Sequence, residues 1–402
     1  MSTASSHGRT HFGYTPMKIC FFLPQNPKGG FNPKLGGGSE LALYYLTTQL
    51  AKMGLEVHVI LDGPSVSHSV IDDVHVHMYP IPYSPLGAYT STKTNVGRIC
   101  TQYKFDVLVG FELTVTWSKA TAIDGLIDVA NAKRMNLVYY VGNHYPWLIS
   151  KNEQNPWMLW RSLRRFVHNA KTLMAASSIM GRAVAANAKV DRERVKIVPF
   201  GVPLEEYASN VEGNRSDVLF VGRIIPHKGL MELVEAARIL RDMGENLNFV
   251  VVGPRGILWD DSPGDHYLKL MNLVEQYGLK QNVVFTGSLP REQVVALMQR
   301  SKVFAFPSHA EGFGVALIQA MAAGAVPVVY KIEPLTEIVG EAGVYAEQGD
   351  PESLAKAIIK ANTDQALPQM VRARIQRYSI RSVAKEFLEA LTDPVEGQPS
   401  NS

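Results

Sequence analysis

The chain has 402 residues, a formal net charge of +3, 46% hydrophobic residues and 19% charged residues. This length suffices for two domains of about 150–200 residues each, and the composition is that of a folded globular protein. The small net charge, without a long basic tract, argues against nucleic-acid binding. The two cysteines, Cys20 and Cys100, are far apart and have no CxxC or His-rich neighbour, so we expect a reducing compartment and neither a disulfide framework nor a zinc site.

The two ends of the chain carry no pattern typical of membrane or secreted proteins. No run of the sequence approaches the roughly 18 apolar residues of a membrane span. The first 16 residues are polar and lack the apolar region of a signal peptide. We therefore expect a cytoplasmic protein with a disordered leader over 1–16 and a disordered tail over 393–402.

The first predicted elements form a strand–helix–strand unit. The run "MKICFFLP" (17–24) predicts a buried strand, and a Gly-rich loop follows it. From Ser39 to Met53, apolar residues recur every three or four positions, which predicts a helix that ends at Gly54. The run "EVHVIL" (56–61) predicts the next strand.

The same unit returns about 200 residues later. Here "DVLFVG" (217–222) precedes a helix predicted from Gly229 to Met243, and "NLNFVVVG" (246–253) follows it. Near-continuous apolar strands that alternate with helices indicate parallel sheets covered on both faces. We therefore predict an α/β protein of two Rossmann-like, doubly wound domains, over 17–203 and 204–378, that face each other across a cleft. The segment 379–392 is expected to be a helix that crosses back to the first domain.

Two cations follow the first strand of the second domain. Arg223 comes directly after that strand, and Lys228 stands five positions further on, before the predicted helix. Free N–H groups at a helix N-terminus and two cationic side chains together favour a diphosphate ligand. The alternative is a solvated loop with surface cations.

A second Gly-containing turn follows the strand "VFAFPS" (303–308). In "HAEGFG" (309–314), Gly312 and Gly314 let backbone amides come close to a ligand. The dipole of the helix that begins near Val315 also favours an anion there. The acid at this helix N-terminus, Glu311, either serves a ligand or only complements the dipole.

The segments "GRIIPHKG" (222–229) and "EGFGVALIQAMAAGAVPVV" (311–329) together resemble motifs of the retaining, GT-B-fold glycosyltransferases of family 4. The resemblance covers about residues 17 to 390 and includes "VGNHYPW" (141–147) and "VPFGV" (198–202), the latter at the domain seam. It implies an enzyme that moves a sugar from a UDP- or GDP-sugar to a hydroxyl of a glycan, a lipid-linked acceptor or a small molecule. By resemblance the configuration is retained, and neither a metal nor a separate cofactor is needed.

The resemblance also implies roles for particular residues. Arg223 and Lys228 would hold the diphosphate of the donor, and Glu311 would bind hydroxyls of the transferred sugar. The sugar and the distal phosphate would meet a run of backbone amides, those of Gly312, Phe313, Gly314 and Val315. The nucleobase would lie near "FTGSLP" (285–290), against Gly287 and Leu289, and Arg255 would be a further diphosphate contact.

Residues of the first domain would complete the site from across the cleft. The Gly-rich loop would bring Gly36, Gly37 and Gly38 against the same phosphate. His144 would lie on the other side of the reacting carbon, where it supports positive charge or orients the acceptor. The alternative for His144 is a packed side chain in an aromatic patch with Tyr145 and Trp147.

One position departs from the family pattern. The second acid of the E-x7-E motif, which binds the ribose hydroxyls, is Gln319 in this chain. An amide keeps one acceptor oxygen and adds two donors, but it loses the charge assistance of the hydrogen bond. The expected penalty is about 1 kcal/mol, or about fivefold in donor affinity. We interpret Gln319 as a tolerated substitute at a binding position.

Several alternatives stay open on the sequence alone. A GT-B-fold nucleotide-sugar epimerase shares the architecture, and a non-catalytic glycosyltransferase-like subunit would explain Gln319. The stretch 155–171, with Trp157, Trp160 and four cations, is either a helix with a buried stripe and a solvated basic side or a face that rests on an anionic membrane. We interpret "WDDSPGDH" (259–266) as an acidic loop in preference to a metal site.

Overall fold

The computed structural model describes residues 16–24, 31–32, 37–113, 119–142, 156–208, 217–256 and 264–392. Several predictions lie outside these ranges, among them Gly36, His144, the tail over 393–402, nearly all of the leader and most of the acidic loop. No helix among the described residues is both long enough and apolar enough to cross a bilayer.

The first domain is built on an eight-stranded sheet with the order β3-β4-β2-β1-β5-β6-β7-β8. The pair β3–β4 is antiparallel, and the other neighbours are parallel. The strands are β1 (Lys18–Leu23), β2 (Glu56–Asp62), β3 (Ser67–Ile71), β4 (Val74–Tyr79), β5 (Val107–Phe111), β6 (Asn136–Val141), β7 (Thr172–Ala175) and β8 (Val195–Ile197).

Helices cover both faces of this sheet. They are α1 (Gly38–Lys52), α2 (Pro85–Tyr103), α3 (Thr121–Ala132), α4 (Pro156–Asn169) and α5 (Ser178–Ala188). The helix predicted from Ser39 begins one residue earlier, and Gly54 follows its end with φ +92°, a conformation that suits glycine. Two buried clusters, one on each face of the sheet, account for the nearly unbroken apolar runs of β1 and β5.

The second domain is built on a six-stranded parallel sheet with the order β11-β10-β9-β12-β13-β14. The strands are β9 (Asp217–Val221), β10 (Phe249–Val252), β11 (Val283–Gly287), β12 (Ser301–Phe306), β13 (Val326–Tyr330) and β14 (Val344–Ala346). Numbered within the domain, this is the Rossmann order 3-2-1-4-5-6. Two Rossmann-like domains confirm the predicted fold class.

A short helix, α6 (Leu204–Tyr207), lies in the segment between the two sheets. The helices that follow are α7 (Leu230–Asp242), α8 (Asp265–Gln276), α9 (Arg291–Arg300), α10 (Val315–Ala322), α11 (Leu335–Val339), α12 (Pro351–Thr363), α13 (Leu367–Ile375) and α14 (Ile380–Thr392). The last of these, α14, packs against the first domain, where the Phe387 ring stacks on Phe21 with 5.7 Å between centroids.

Candidate active site

The topology places the two motifs of the second domain side by side. Strands β9 and β12 are neighbours in the sheet, although helices and two other strands separate them in the chain. Arg223 follows β9, and the loop 307–314 follows β12. This is the point where the strand order reverses, and open α/β sheets bind their ligands there, outside the carboxyl ends of the strands.

Close backbone contacts hold these two loops together. The N–H of His309 donates to the carbonyl of His227 at 2.8 Å. Gly229 has φ +70°, and a Cβ at this position would lie 1.9 Å from the carbonyl oxygen of Pro307. Only glycine fits there, which explains the glycine that follows Lys228 in the motif.

Lys228 and Glu311 form an ion pair between the loops. Their side chains are only 12% and 11% exposed, so the pair is shielded from solvent. Arg223 is half-buried nearby, and this burial lowers the pKa of its guanidinium, with an opposing effect from the carboxylate of Glu311. The predicted diphosphate cations, Arg223 and Lys228, therefore both interact electrostatically with the predicted sugar-binding acid, Glu311.

The N-terminus of α10 presents backbone donors beside this pair. Gly314, with φ +106°, precedes the helix and provides no side-chain cap. Within the described ranges, no group accepts a hydrogen bond from the N–H groups of Phe313, Gly314, Val315 or Ala316. Uncapped donors at a helix N-terminus suit an anion.

The N-terminus of α1 meets α10 from the other domain. A Cβ on Gly38 would lie 3.4 Å from the Cβ of Val315, so the two helix starts almost touch. Beside them a cavity of about 230 Å³ lies between the domains. Six of the predicted site residues line it: Gly37, Gly38, Arg223, Leu289, Val315 and Gln319.

Gln319 is buried against this cavity and is 8% exposed. No side chain in the described part of the protein forms a hydrogen bond with its amide. The amide is therefore available to a ligand that enters the cavity, as a binding position requires.

Two other predicted residues lie near the cavity without lining it. Gly287 has φ +73°, and its carbonyl accepts the N–H of Gly253 at 3.0 Å. The guanidinium of Arg255 lies 5.7 Å from the centre of the Tyr267 ring. Gly287 is the last residue of β11 and Arg255 lies three residues after β10, and their neighbours Ser288 and Pro254 line the cavity.

An interdomain cluster centred on Arg291 was not predicted from the sequence. The guanidinium of Arg291 donates to the Tyr45 hydroxyl of α1 at 2.8 Å and pairs with Glu206. The hydroxyls of Tyr45 and Tyr207 are 2.8 Å apart, and Tyr207 and Arg291 both line the cavity. No motif marks these residues, because they come from three helices, α1, α6 and α9, and more than 80 residues separate each of these helices from the next.

A buried acid, Glu112, was also missed. It follows β5 with φ +46°, is 1% exposed and accepts the N–H of Gly142 through Oε1. A buried carboxylate in a left-handed backbone conformation at a strand end is a feature that often accompanies function. A lone Glu after an apolar run gave no signal in the sequence.

Helix α4 contains the basic stretch of the first domain. Arg161 and Arg165 both pair with Asp124, Arg165 pairs in addition with Asp128, and the Arg164 side chain donates to a backbone carbonyl. Trp160 packs against the core, while Trp157 is 59% exposed. These contacts favour the ordinary amphipathic helix over a dedicated membrane face.

Two Rossmann-like domains that bring helix N-termini and cations to a shared cleft have the architecture of the GT-B fold. The comparison with family models agrees: residues 36–206 match the model "Glycosyltransferase Family 4", and residues 205–379 match "Glycosyl transferases group 1". Together the two models cover residues 36–379, so each of the two domains matches a glycosyltransferase family model.

Characterised relatives share part of the chain. A GDP-mannose:cellobiosyl-diphosphopolyprenol alpha-mannosyltransferase of Xanthomonas campestris is 28% identical over 206 residues, 49% of this chain and 52% of the relative. A 2-deoxystreptamine glucosyltransferase of Streptomyces kanamyceticus is 32% identical over 198 residues, 49% of this chain and 46% of the relative. The chain thus spans about half the length of the curated relatives it matches.

Solved structures show the same fold over nearly the whole chain. HepE of Anabaena, in complex with UDP and glucose, has a TM-score of 0.70 at 19% identity and covers 94% of this chain and 99% of its own. Sucrose-phosphate synthase of Thermosynechococcus elongatus has a TM-score of 0.71 at 18% identity and covers 93% of this chain and 98% of its own.

Proposed function

We propose that this chain transfers a sugar from a nucleotide diphosphate sugar to an acceptor hydroxyl, with retention of configuration. The observation that carries the proposal is the convergence of two helix N-termini, those of α1 and α10, beside Arg223 at one interdomain cavity. Backbone donors and cations gathered from two domains match a diphosphate, which has many acceptor oxygens and a double negative charge.

The charges of the site suit the departure of a nucleoside diphosphate. Cleavage of the anomeric bond leaves positive charge on the sugar ring and negative charge on the diphosphate. Arg223, Lys228 and the N–H groups before α10 stabilise the negative charge, which is electrostatic preorganisation without a covalent enzyme intermediate. Because these groups already neutralise the diphosphate, the proposed mechanism does not require a metal ion.

Donor binding rearranges the ion pair of Lys228 with Glu311. The diphosphate competes for the ammonium of Lys228, and the sugar hydroxyls then donate to the carboxylate of Glu311. The acceptor hydroxyl attacks from the face that the diphosphate leaves, and a diphosphate oxygen takes its proton. The new bond forms on the side of the old one, so the configuration is retained.

The donor nucleotide is proposed to be uridine or guanosine diphosphate. The Xanthomonas relative is named for GDP-mannose, and HepE was solved with UDP. The acceptor is a glycan, a lipid-linked sugar or a small molecule, classes that the names of the relatives also include. Neither the epimerase nor the non-catalytic alternative is favoured by these relatives.

A screen of UDP- and GDP-sugars by thermal unfolding tests the proposal. A donor at 100 times its Kd adds about 2.7 kcal/mol to stability, which raises the unfolding temperature measurably. The stabilising donor is then incubated with acceptors, and the anomeric configuration of the product is determined by NMR. Inversion would contradict the mechanism. Conversion of the donor to its epimer without an acceptor would show that the protein is an epimerase and not a transferase.

A further inference from the structure

One peptide unit of the proposed donor site is held by the other domain. Ser177 follows β7 of the first domain, and its hydroxyl donates to the carbonyl oxygen of Gly312 at 2.7 Å. Ser177 is 1% exposed, so the hydrogen bond is shielded from water. The same Oγ accepts the N–H of Met180 at 3.4 Å and so caps helix α5.

The next residue, Phe313, is anchored by the same side of the cleft. Its ring is 3% exposed and packs edge-on against Phe200, with 5.4 Å between centroids. The ring of Tyr378, which precedes α14, also packs edge-on against Phe313, with 6.0 Å between centroids. Both the carbonyl and the side chain that flank the peptide from Gly312 to Phe313 are therefore fixed by contacts outside their own loop.

The orientation of this carbonyl determines where the adjoining N–H points. In a trans peptide, the C=O of one residue and the N–H of the next point in opposite directions. Among the described residues, the cis peptide is that between Glu333 and Pro334, so the peptide after Gly312 is trans. With its carbonyl directed to Ser177, this peptide directs the N–H of Phe313 away from α5. That N–H has no acceptor among the described residues.

We propose that Ser177 is a positioning residue that aims the Phe313 N–H at the distal phosphate of the donor. This inference rests on the proposed function, because it assigns a phosphate to the N-terminus of α10. A peptide without the Ser177 bond can rotate, and a reversed peptide would direct a carbonyl oxygen at the phosphate in place of a donor. The first domain thus completes the anion site of the second domain, and separation of the domains would free the peptide after Gly312 to rotate.

The test replaces Ser177 with Ala and compares it with a matched control. Ser301 is equally buried, and its hydroxyl donates to the Leu297 carbonyl at the same 2.7 Å, away from the cleft. We expect Ser177→Ala to lower kcat/KM for the donor at least tenfold, in line with partial loss of one preorganised donor. Ser301→Ala, which loses an equivalent bond, should stay within twofold of the wild type.

Two further variants separate positioning from folding. Ser177→Thr keeps the hydroxyl and should retain at least a third of wild-type kcat/KM. Ser177→Gly removes the hydroxyl, but glycine still serves as a helix N-cap, so this variant folds even where Ala does not and should show the same tenfold loss. Equal kinetics for the Gly or Ala variant and Ser301→Ala would overturn the inference.

Binding experiments distinguish this inference from the proposed function. UDP, GDP and inorganic pyrophosphate are titrated by calorimetry into the wild type, Ser177→Ala and Ser301→Ala. If no donor is turned over, the proposed function fails, yet an affinity at least threefold weaker in Ser177→Ala than in Ser301→Ala still supports the positioning role. Equal affinities in the two variants, or no binding to the wild type, would refute it.

Discussion

The ion pair of Lys228 with Glu311 explains how an acid and a cation can lie together in a part of the cleft that is largely shielded from solvent. Each neutralises the other while both are shielded from water, and removal of one leaves the other uncompensated. The proposed donor can replace both partners, because its anionic diphosphate pairs with Lys228 and its sugar hydroxyls donate hydrogen bonds to Glu311. Residue-scale substitutions therefore separate binding of the diphosphate from chemistry at the sugar.

The first prediction concerns the two cations. Arg223→Ala and Lys228→Ala should each reduce kcat at least 100-fold, because each cation is expected to supply about 3 kcal/mol of transition-state stabilisation. The measurement is kcat at saturating donor and acceptor. Lys280, which forms an exposed pair with Glu275, provides the control, and Lys280→Ala should match the wild type. Wild-type rates in both cleft variants would remove this loop from the diphosphate site.

The second prediction concerns Glu311, the first position of the E-x7-E motif. Glu311→Gln should lower kcat and kcat/KM, because the charge on the sugar changes in the transition state. The same change frees Lys228 from its partner, so UDP or GDP should bind more tightly to this variant in calorimetry. Unchanged kcat in Glu311→Gln would show that the carboxylate does not serve the sugar.

The third prediction concerns the ribose position. Gln319→Glu should lower the donor KM a few-fold and leave kcat nearly unchanged, since the ribose is contacted equally in ground and transition states. The residue is buried beside the cavity, and Arg291 lines the same cavity, so an introduced carboxylate has a cation in its surroundings. A large fall in kcat would mean that the amide performs a task that an acid cannot.

At the scale of elements, the outer edge of the first sheet carries a stack of histidines on one face. In register, His58 of β2 lies beside His75 of β4, and His77 of β4 lies beside His68 of β3. The rings of His58 and His75 are 4.4 Å apart, and Nδ1 of His58 lies 2.9 Å from Nε2 of His77. The surrounding groups are those of Lys18, Glu56, Tyr103 and Phe105.

The fourth prediction is that acid destabilises this edge. Burial lowers the pKa of His58 to about 4. Burial, together with the neighbouring histidines, lowers the pKa of His77 to about 3. In the unfolded chain both titrate near 6.5. The unfolded chain therefore binds more protons below pH about 6.5, and stability falls as the pH drops from there toward 4. We expect a loss of about 3–4 kcal/mol between pH 7 and 5, about 2 kcal/mol for each histidine, measured by denaturant unfolding.

Matched substitutions assign this loss to the stack. The double variant His58→Gln, His77→Gln should flatten the pH dependence, because the neutral amides take up no protons in this range. The exposed His168 at the end of α4 offers the control, and His168→Gln should leave the slope unchanged. An acid-induced loss that persists in the double variant would place its origin elsewhere.

At the scale of the whole molecule, α14 joins the two domains. It follows the second domain in the chain but packs on the first, where Phe387 is fully buried and contacts Phe21 and Tyr140. The Lys196 ammonium donates to the Ala390 carbonyl at 3.1 Å and adds a polar contact. Stability of the first domain thus depends on the last helix of the chain.

The fifth prediction follows from this crossing. Phe387→Ala should cost about 3–5 kcal/mol, the usual cost of deleting a buried aromatic ring. Since the ring packs on the first domain, the loss should appear in unfolding monitored from that domain. Lys385→Ala, an exposed position on the same helix, is the control. Unfolding of the first domain that is indifferent to Phe387→Ala would show that α14 does not support it.

Local pattern in the sequence predicted the elements and the class of the fold. Apolar runs and three- to four-residue spacing located β1, α1, β9 and α7 to within a few residues, because buried strands and amphipathic helices express their periods directly in the chain. The resemblance to a family motif singled out Arg223, Lys228, Glu311 and Gln319 as candidates. The first three lie in loops that directly follow a strand, and Gln319 lies in the helix after the second loop, so local sequence places all four.

Contacts between distant segments were decided by tertiary structure alone. The sequence predicted neither the ion pair of Lys228 with Glu311, nor the cluster around Arg291, nor the hydrogen bond from Ser177 to Gly312. Partners in these contacts are 83 to 246 residues apart in the chain. Periodicity constrains neighbours only within one element. The Lys228–Glu311 distance depends on which strands are neighbours in the second sheet, and the other two contacts depend on how the two folded domains close on each other.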